Sequence, residues 1–124
     1  MERDELIALR PMVAYESEKI TSELEQFQNE VLRPILKFQH QIFVQLLLNN
    51  KHFVNLKLNK STRTSFLQAI NQFVTGQHYL KDQFVGIVLG LMTLEELSIY
   101  QTNTSALNKR IHQMVCQRLC DELY

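Results

Sequence analysis

Residues 20–46 read ITSELEQFQNEVLRPILKFQHQIFVQL, and this stretch decides the fold class. Its apolar residues fall at Ile20, Leu24, Phe27, Val31, Ile35, Phe38, Ile42 and Leu46. The steps are three or four throughout, which is one apolar stripe down an α-helix. Pro34 interrupts the stripe, because proline gives up an amide donor and its ring collides with the preceding turn. The stripe keeps its phase across Pro34, and two helices joined by a loop have no reason to do so. One long helix over about 15–49, kinked near Glu30–Pro34, fits this pattern. At 1.5 Å per residue it spans about 50 Å, against a radius of gyration of about 14 Å for a compact chain of this size. Either the kink wraps it round the core or part of it serves a partner chain.

Outward from this helix the pattern stays helical. Asn49-Asn50-Lys51 ends it, and Phe53 to Asn59 reads as a loop, since a lone strand has nothing to pair with. Asn59 or Ser61 caps a second helix carrying Phe66, Leu67, Ile70, Phe73 and Val74, closed by Thr75-Gly76. A third helix runs from about His78 to Leu91, and its Gly86 and Gly90, four apart, predict a close approach by another helix. Thr93-Leu-Glu-Glu96 is a capping box that opens a short fourth helix. Asn103 or Thr104 starts the last, which reaches about Leu123.

The expected fold is therefore all-α: a bundle of about five helices with one long, Pro-kinked first helix. Only three glycines and two prolines in 124 residues agree, because sandwiches and barrels need many turns. A chain 45% apolar and 21% charged excludes general disorder, and its length suits one domain over 1–124. Residues 1–13 read as a flexible N-terminal segment.

The formal net charge is zero, but the charges are segregated. Residues 1–30 hold eight acidic and three basic residues. Residues 31–81 hold no Asp or Glu and seven basic residues, Arg33, Lys37, Lys51, Lys57, Lys60, Arg63 and Lys81. Residues 82–124 hold five acidic and three basic ones. One reading of the acid-free middle is an anion-facing or nucleic-acid surface built on Arg33, Lys37, Lys51, Lys57, Lys60 and Arg63. The other is internal: the acidic start lies against the basic middle, within one chain or between two. The sequence pI of about 6.9 is below the values above 9 usual for nucleic-acid modules. No glycine-rich loop is present to cradle a phosphate.

The last helix carries His112, Cys116 and Cys120 at i, i+4 and i+8, a stripe of residues that bind soft metals. Three ligands in line along about 12 Å do not reach one ion, so a metal here needs ligands from a partner. Cysteine is also buried simply as a small apolar residue. With Leu107, Ile111, Met114 and Val115 on its main apolar face and Leu119 and Leu123 between the two, this helix is apolar over most of its circumference. No catalytic residues are assigned: there is no Gly-x-Ser-x-Gly turn, no local cysteine signature and no His-x-x-x-His or His-Glu-x-x-His spacing. No cofactor is implied.

The mixed charges of Met1-Glu-Arg-Asp-Glu5 do not fit a secretory signal, and the apolar run Phe84 to Leu94 is about half the length that crosses a bilayer. These features predict a soluble, cytoplasmic protein with reduced thiols and no membrane partner.

Three stretches carry a family likeness: Leu32-Arg-Pro-Ile-Leu-Lys-Phe-Gln39, Gly90-Leu-Met-Thr-Leu-Glu-Glu96 followed by Tyr100, and Ala106-Leu-Asn-Lys-Arg110. Over about residues 25–120 the chain resembles a family of small all-α proteins from Bacteroidetes, some of which carry the label glyoxalase. The resemblance implies a helical fold and membership of that family. The label would imply a metal-dependent enzyme or sensor, although glyoxalase-type lyases place their ligands on paired βαβββ units. The leading expectation is a non-enzymatic interaction protein acting through a homodimer or a protein partner. Anion or nucleic-acid binding, and metal-dependent chemistry at His112 and Cys116, stand as alternatives.

Overall fold

The computed structural model describes residues 2–13, 22–58 and 60–124. Among these the chain is all-α and no strand occurs. The long helix is not the first element, because a 3₁₀ helix over Arg3–Leu9 precedes it. It runs from Glu23 to Leu48 in three joined pieces, α1 (Glu23–Phe27), a π-helical turn (Gln28–Leu32) and α2 (Arg33–Leu48). Its start is later than the periodicity predicts. Ser22 is extended (φ −65°, ψ 161°) and its Oγ accepts from the Glu25 N–H at 3.2 Å. This serine N-cap separates α1 from anything before it. Residues 15–21 of the predicted helix lie outside the described residues.

The π turn is how the helix accommodates Pro34. In a regular helix the proline ring would meet the Glu30 carbonyl. Winding wider lets the Arg33 N–H reach the Gln28 carbonyl and gives the ring room without breaking the helix. The wide turn also takes up an extra residue, which rotates all that follows. Phe27, Val31 and Ile35 face the core as the stripe predicts. Beyond them the buried residues are Leu36, Phe43, Val44 and Leu47, whereas Phe38 and Ile42 are 43% and 47% exposed. The apolar stripe thus keeps its phase through Ile35, and beyond it Phe38 and Ile42 look outward while Leu46 still packs against the core.

After α2 comes one turn of helix, α3 (Lys51–Val54), where a loop was expected; the Asn50 side chain caps it by accepting from the N–H groups of His52 and Phe53. Phe53 then anchors it edge-on to Phe73, with ring centroids 5.4 Å apart. α4 (Arg63–Gly76) is capped by Thr62, not by Ser61, and Asn59 lies outside the described residues. α5 (His78–Leu89) follows after Gln77. Gly86 and Gly90 are both exposed, and a methyl at Gly86 would meet nothing within 4 Å. Their spacing is therefore not a close helix contact. α6 (Leu94–Thr102) opens with the predicted capping box, and α7 (Thr104–Leu123) closes the chain.

α7 is the central helix. It packs against α4, α2, α5 and α6. Leu107, Ile111, Val115, Cys116, Leu119 and Cys120 are all fully buried. Its near-continuous apolar circumference is consumed inside one chain. Phe43 of α2 and Phe84 of α5 meet edge-on at 5.4 Å beside it.

Two arginines tie the N-terminal segment, expected to be flexible, to the turn between α5 and α6. Arg3 donates to the carbonyls of Met92, at 2.6 and 3.0 Å, and of Gly90, at 3.1 Å. Arg10 donates to the Leu91 carbonyl at 2.8 Å and forks onto the Glu96 carboxylate at 2.6 and 2.7 Å. Glu96 also accepts from the Thr93 N–H in the capping box. Its carboxylate therefore joins the start of the chain to the N-terminus of α6. Both side chains of this pair are nearly covered (7% and 13% exposed), and removing one partner of such a pair costs about 3–5 kcal/mol.

Burial alone would raise the Glu96 pKa, but Arg10 and Thr93 outweigh it and hold the carboxyl below its ordinary value of 4.5. A carboxylate depressed on folding stabilises the fold above its unfolded value and loses that contribution as pH falls through the folded one. Urea unfolding midpoints are expected to fall below about pH 4.5 in the wild type, and Glu96→Gln is expected to be less stable at pH 7 and to lack that component of the acid loss. Equal midpoints for the two proteins at pH 7 would contradict the clamp.

Candidate functional site

The His112, Cys116 and Cys120 stripe does not converge. Cys116 Sγ lies 3.8 and 3.9 Å from the two His112 ring nitrogens, and Cys120 Sγ points at the Arg63 carbonyl at 3.8 Å. Burial pushes the Cys116 thiol up to about 12, with Lys81 only partly opposing it. A thiol held protonated at neutral pH is a poor nucleophile and a poor metal ligand. His112 moves the other way, because burial and then the Lys81 ammonium hold it below its ordinary 6.5. Among the described residues no group of three or more His, Cys, Asp or Glu is placed to hold a metal ion.

The six basic residues read as an anion surface do not share one. Arg33 and Lys37 lie on the N-terminal half of α2, and Lys37 donates to the Met12 carbonyl at 3.2 Å. Lys51 and Lys57 are exposed at α3 and the loop after it. Lys60 and Arg63 sit against the end of α7, where Lys60 donates to the Leu123 carbonyl and Arg63 pairs with Asp121. Among the described residues the basic middle therefore meets the acidic end of the chain, not the acidic start. His40 against Glu122, at 3.8 Å, repeats that pattern.

Arg33 is one of the six basic residues read from the sequence, and the fold brings it together with Arg110 and Arg118. They line a groove of about 510 Å³ between the long helix and α7, with Gln28, His40 and Gln117. The π turn sets Gln28 and Arg33 along one wall, and the i, i+8 spacing sets Arg110 and Arg118 along the other. Their partners are neutral: Arg33 donates to Asn29 at 2.8 Å, Arg110 to Gln28 at 2.8 Å, and Arg118 lies 3.4 Å from His40. Partial burial first, and then the nearby Arg33, lower the Arg118 pKa, with Asp121 opposing them.

The second unusual surface is the outward face of α2. From Phe38 to Asn50 the chain has no Asp, Glu, Lys or Arg. Phe38, Gln41, Ile42, Gln45 and Leu48 are its exposed residues within α2. The solvent face of a helix is normally charged. Beside it a hollow of about 510 Å³ is lined by Ile42, Leu46, Asn49 and Leu80 among others.

No helix among the described residues is long and apolar enough to cross a membrane. Comparison with family models, curated proteins and solved structures finds no match.

The burial of both thiols gives a direct check. At pH 8 Cys116 and Cys120 are expected to react with an aromatic disulfide reagent only as fast as the native protein opens. Rapid labelling of either thiol in the folded protein would contradict the packing described.

Proposed function

We propose that the protein acts by association and that the outward α2 face docks on the same face of a second copy. The observation that carries this is the exposure of Phe38 and Ile42 on a surface without formal charge. The exposed positions 38, 41, 42, 45 and 48 follow the spacing of a helix seam. Across a twofold axis each such residue meets the same neutral surface, so no like charges oppose each other. The hollow beside Ile42 offers room for an apolar side chain of the facing copy. The glutamines have amide partners available in the same arrangement, so the seam leaves no acceptor or donor stranded. A charged partner would have to desolvate its charges against this face without compensation, which favours a second copy.

Light scattering on a sizing column at tens of micromolar is expected to give twice the 14.6 kDa of one chain. Phe38→Glu with Ile42→Glu alters only exposed positions and is expected to give a folded monomer. A monomeric wild type, or an undisturbed dimer in the double variant, would overturn the proposal.

A further inference from the structure

The geometry points to a binding site for a small ligand bearing two or more phosphate groups in the groove between the long helix and α7. Three guanidinium groups face it, and none of the three has an ion pair among the described residues. Each keeps donors beyond the single contact it makes with Asn29, Gln28 or His40. Guanidinium forks match phosphate oxygens two at a time, and the nearest carboxylate, Asp121, is shared with Arg63, so the three arginines keep positive charge for an anion to join. Arg110 and Arg118 are eight residues apart, about 12 Å along the helix axis, so one monophosphate does not span both. A second phosphate group shortens the reach that the two flexible side chains must make towards a shared ligand.

The groove also has a direction. Past Gln28 and Arg110 it continues as a shallower hollow to Lys109, which adds a fourth cation at that end. At the other end stand Asp121, already paired with Arg63, and Glu122, beside His40. Carboxylates there repel a phosphate chain that would run through, so the site suits a short ligand that ends within it and not a nucleic-acid strand. Its volume of about 510 Å³ falls in the range of small-molecule sites, roughly 300–1,000 Å³. This site is separate from the neutral α2 face, so its test is independent of the dimer.

The probe is inorganic pyrophosphate, titrated at constant ionic strength and followed through backbone amide NMR shifts, with monophosphate as the comparison. Shifts are expected at Gln28, Arg33, Arg110 and Arg118, with pyrophosphate binding at least about tenfold tighter than monophosphate. Arg118→Gln is expected to weaken pyrophosphate binding by about tenfold. Lys109→Gln, an exposed change, is expected to weaken it by a smaller factor while leaving the spectrum of the free protein intact elsewhere. Absence of localised shifts, equal affinity for the two anions, or unchanged binding in both variants would overturn the site. So would binding of a single-stranded oligonucleotide with no response to pyrophosphate.

Discussion

The structure depends on covering α7. Its face of leucine, isoleucine, valine and cysteine has no stable place in water, while Lys109, Gln113, Gln117 and Asp121 keep the opposite face outside. Six of its side chains, from Leu107 to Cys120, are withdrawn fully from water. Fully burying each large aliphatic side chain is worth about 1.5–3 kcal/mol, so this face and the long helix, with eight buried side chains of its own, supply much of the driving force. Four helices are required to supply the walls, and α2, α4, α5 and α6 do so. The connections are correspondingly short. The capping box at Thr93 and the cap at Thr62 each set the entry angle of a helix that must reach α7.

Pro34 then determines what is left for function. The chain answers the proline with a π turn, and the extra residue rotates the rest of α2. Further along the helix Phe38 and Ile42 lie outside the core, leaving a neutral apolar face on the surface. Gln28 and Arg33 are set opposite α7, where they complete a groove with Arg110 and Arg118.

The helical class, the capping box and the start of α7 were legible because each rests on local spacing or local hydrogen bonding. The phase of α2 was not. A single inserted residue in a π turn leaves no mark in the apolar pattern, since steps of three and four continue across it unchanged. The contacts of the N-terminal segment were out of reach for a related reason. Arg3 and Arg10 act across more than 80 residues of sequence, and no periodicity signals a guanidinium seeking distant carbonyls. The His112, Cys116 and Cys120 stripe and the apolar face of α7 were read from different residues, and the packing that buries Cys116 and Cys120 with that face has no mark in the spacing. The three-arginine groove was out of reach because its members come from two helices whose facing depends on the π turn.

The central claim is that α7 is the shared core element. Amide hydrogen exchange followed by NMR tests it most directly. The account predicts that the amides from Ile111 to Leu119 exchange last, and only through global unfolding. Exchange of these amides ahead of those in α4 and α5 would contradict it.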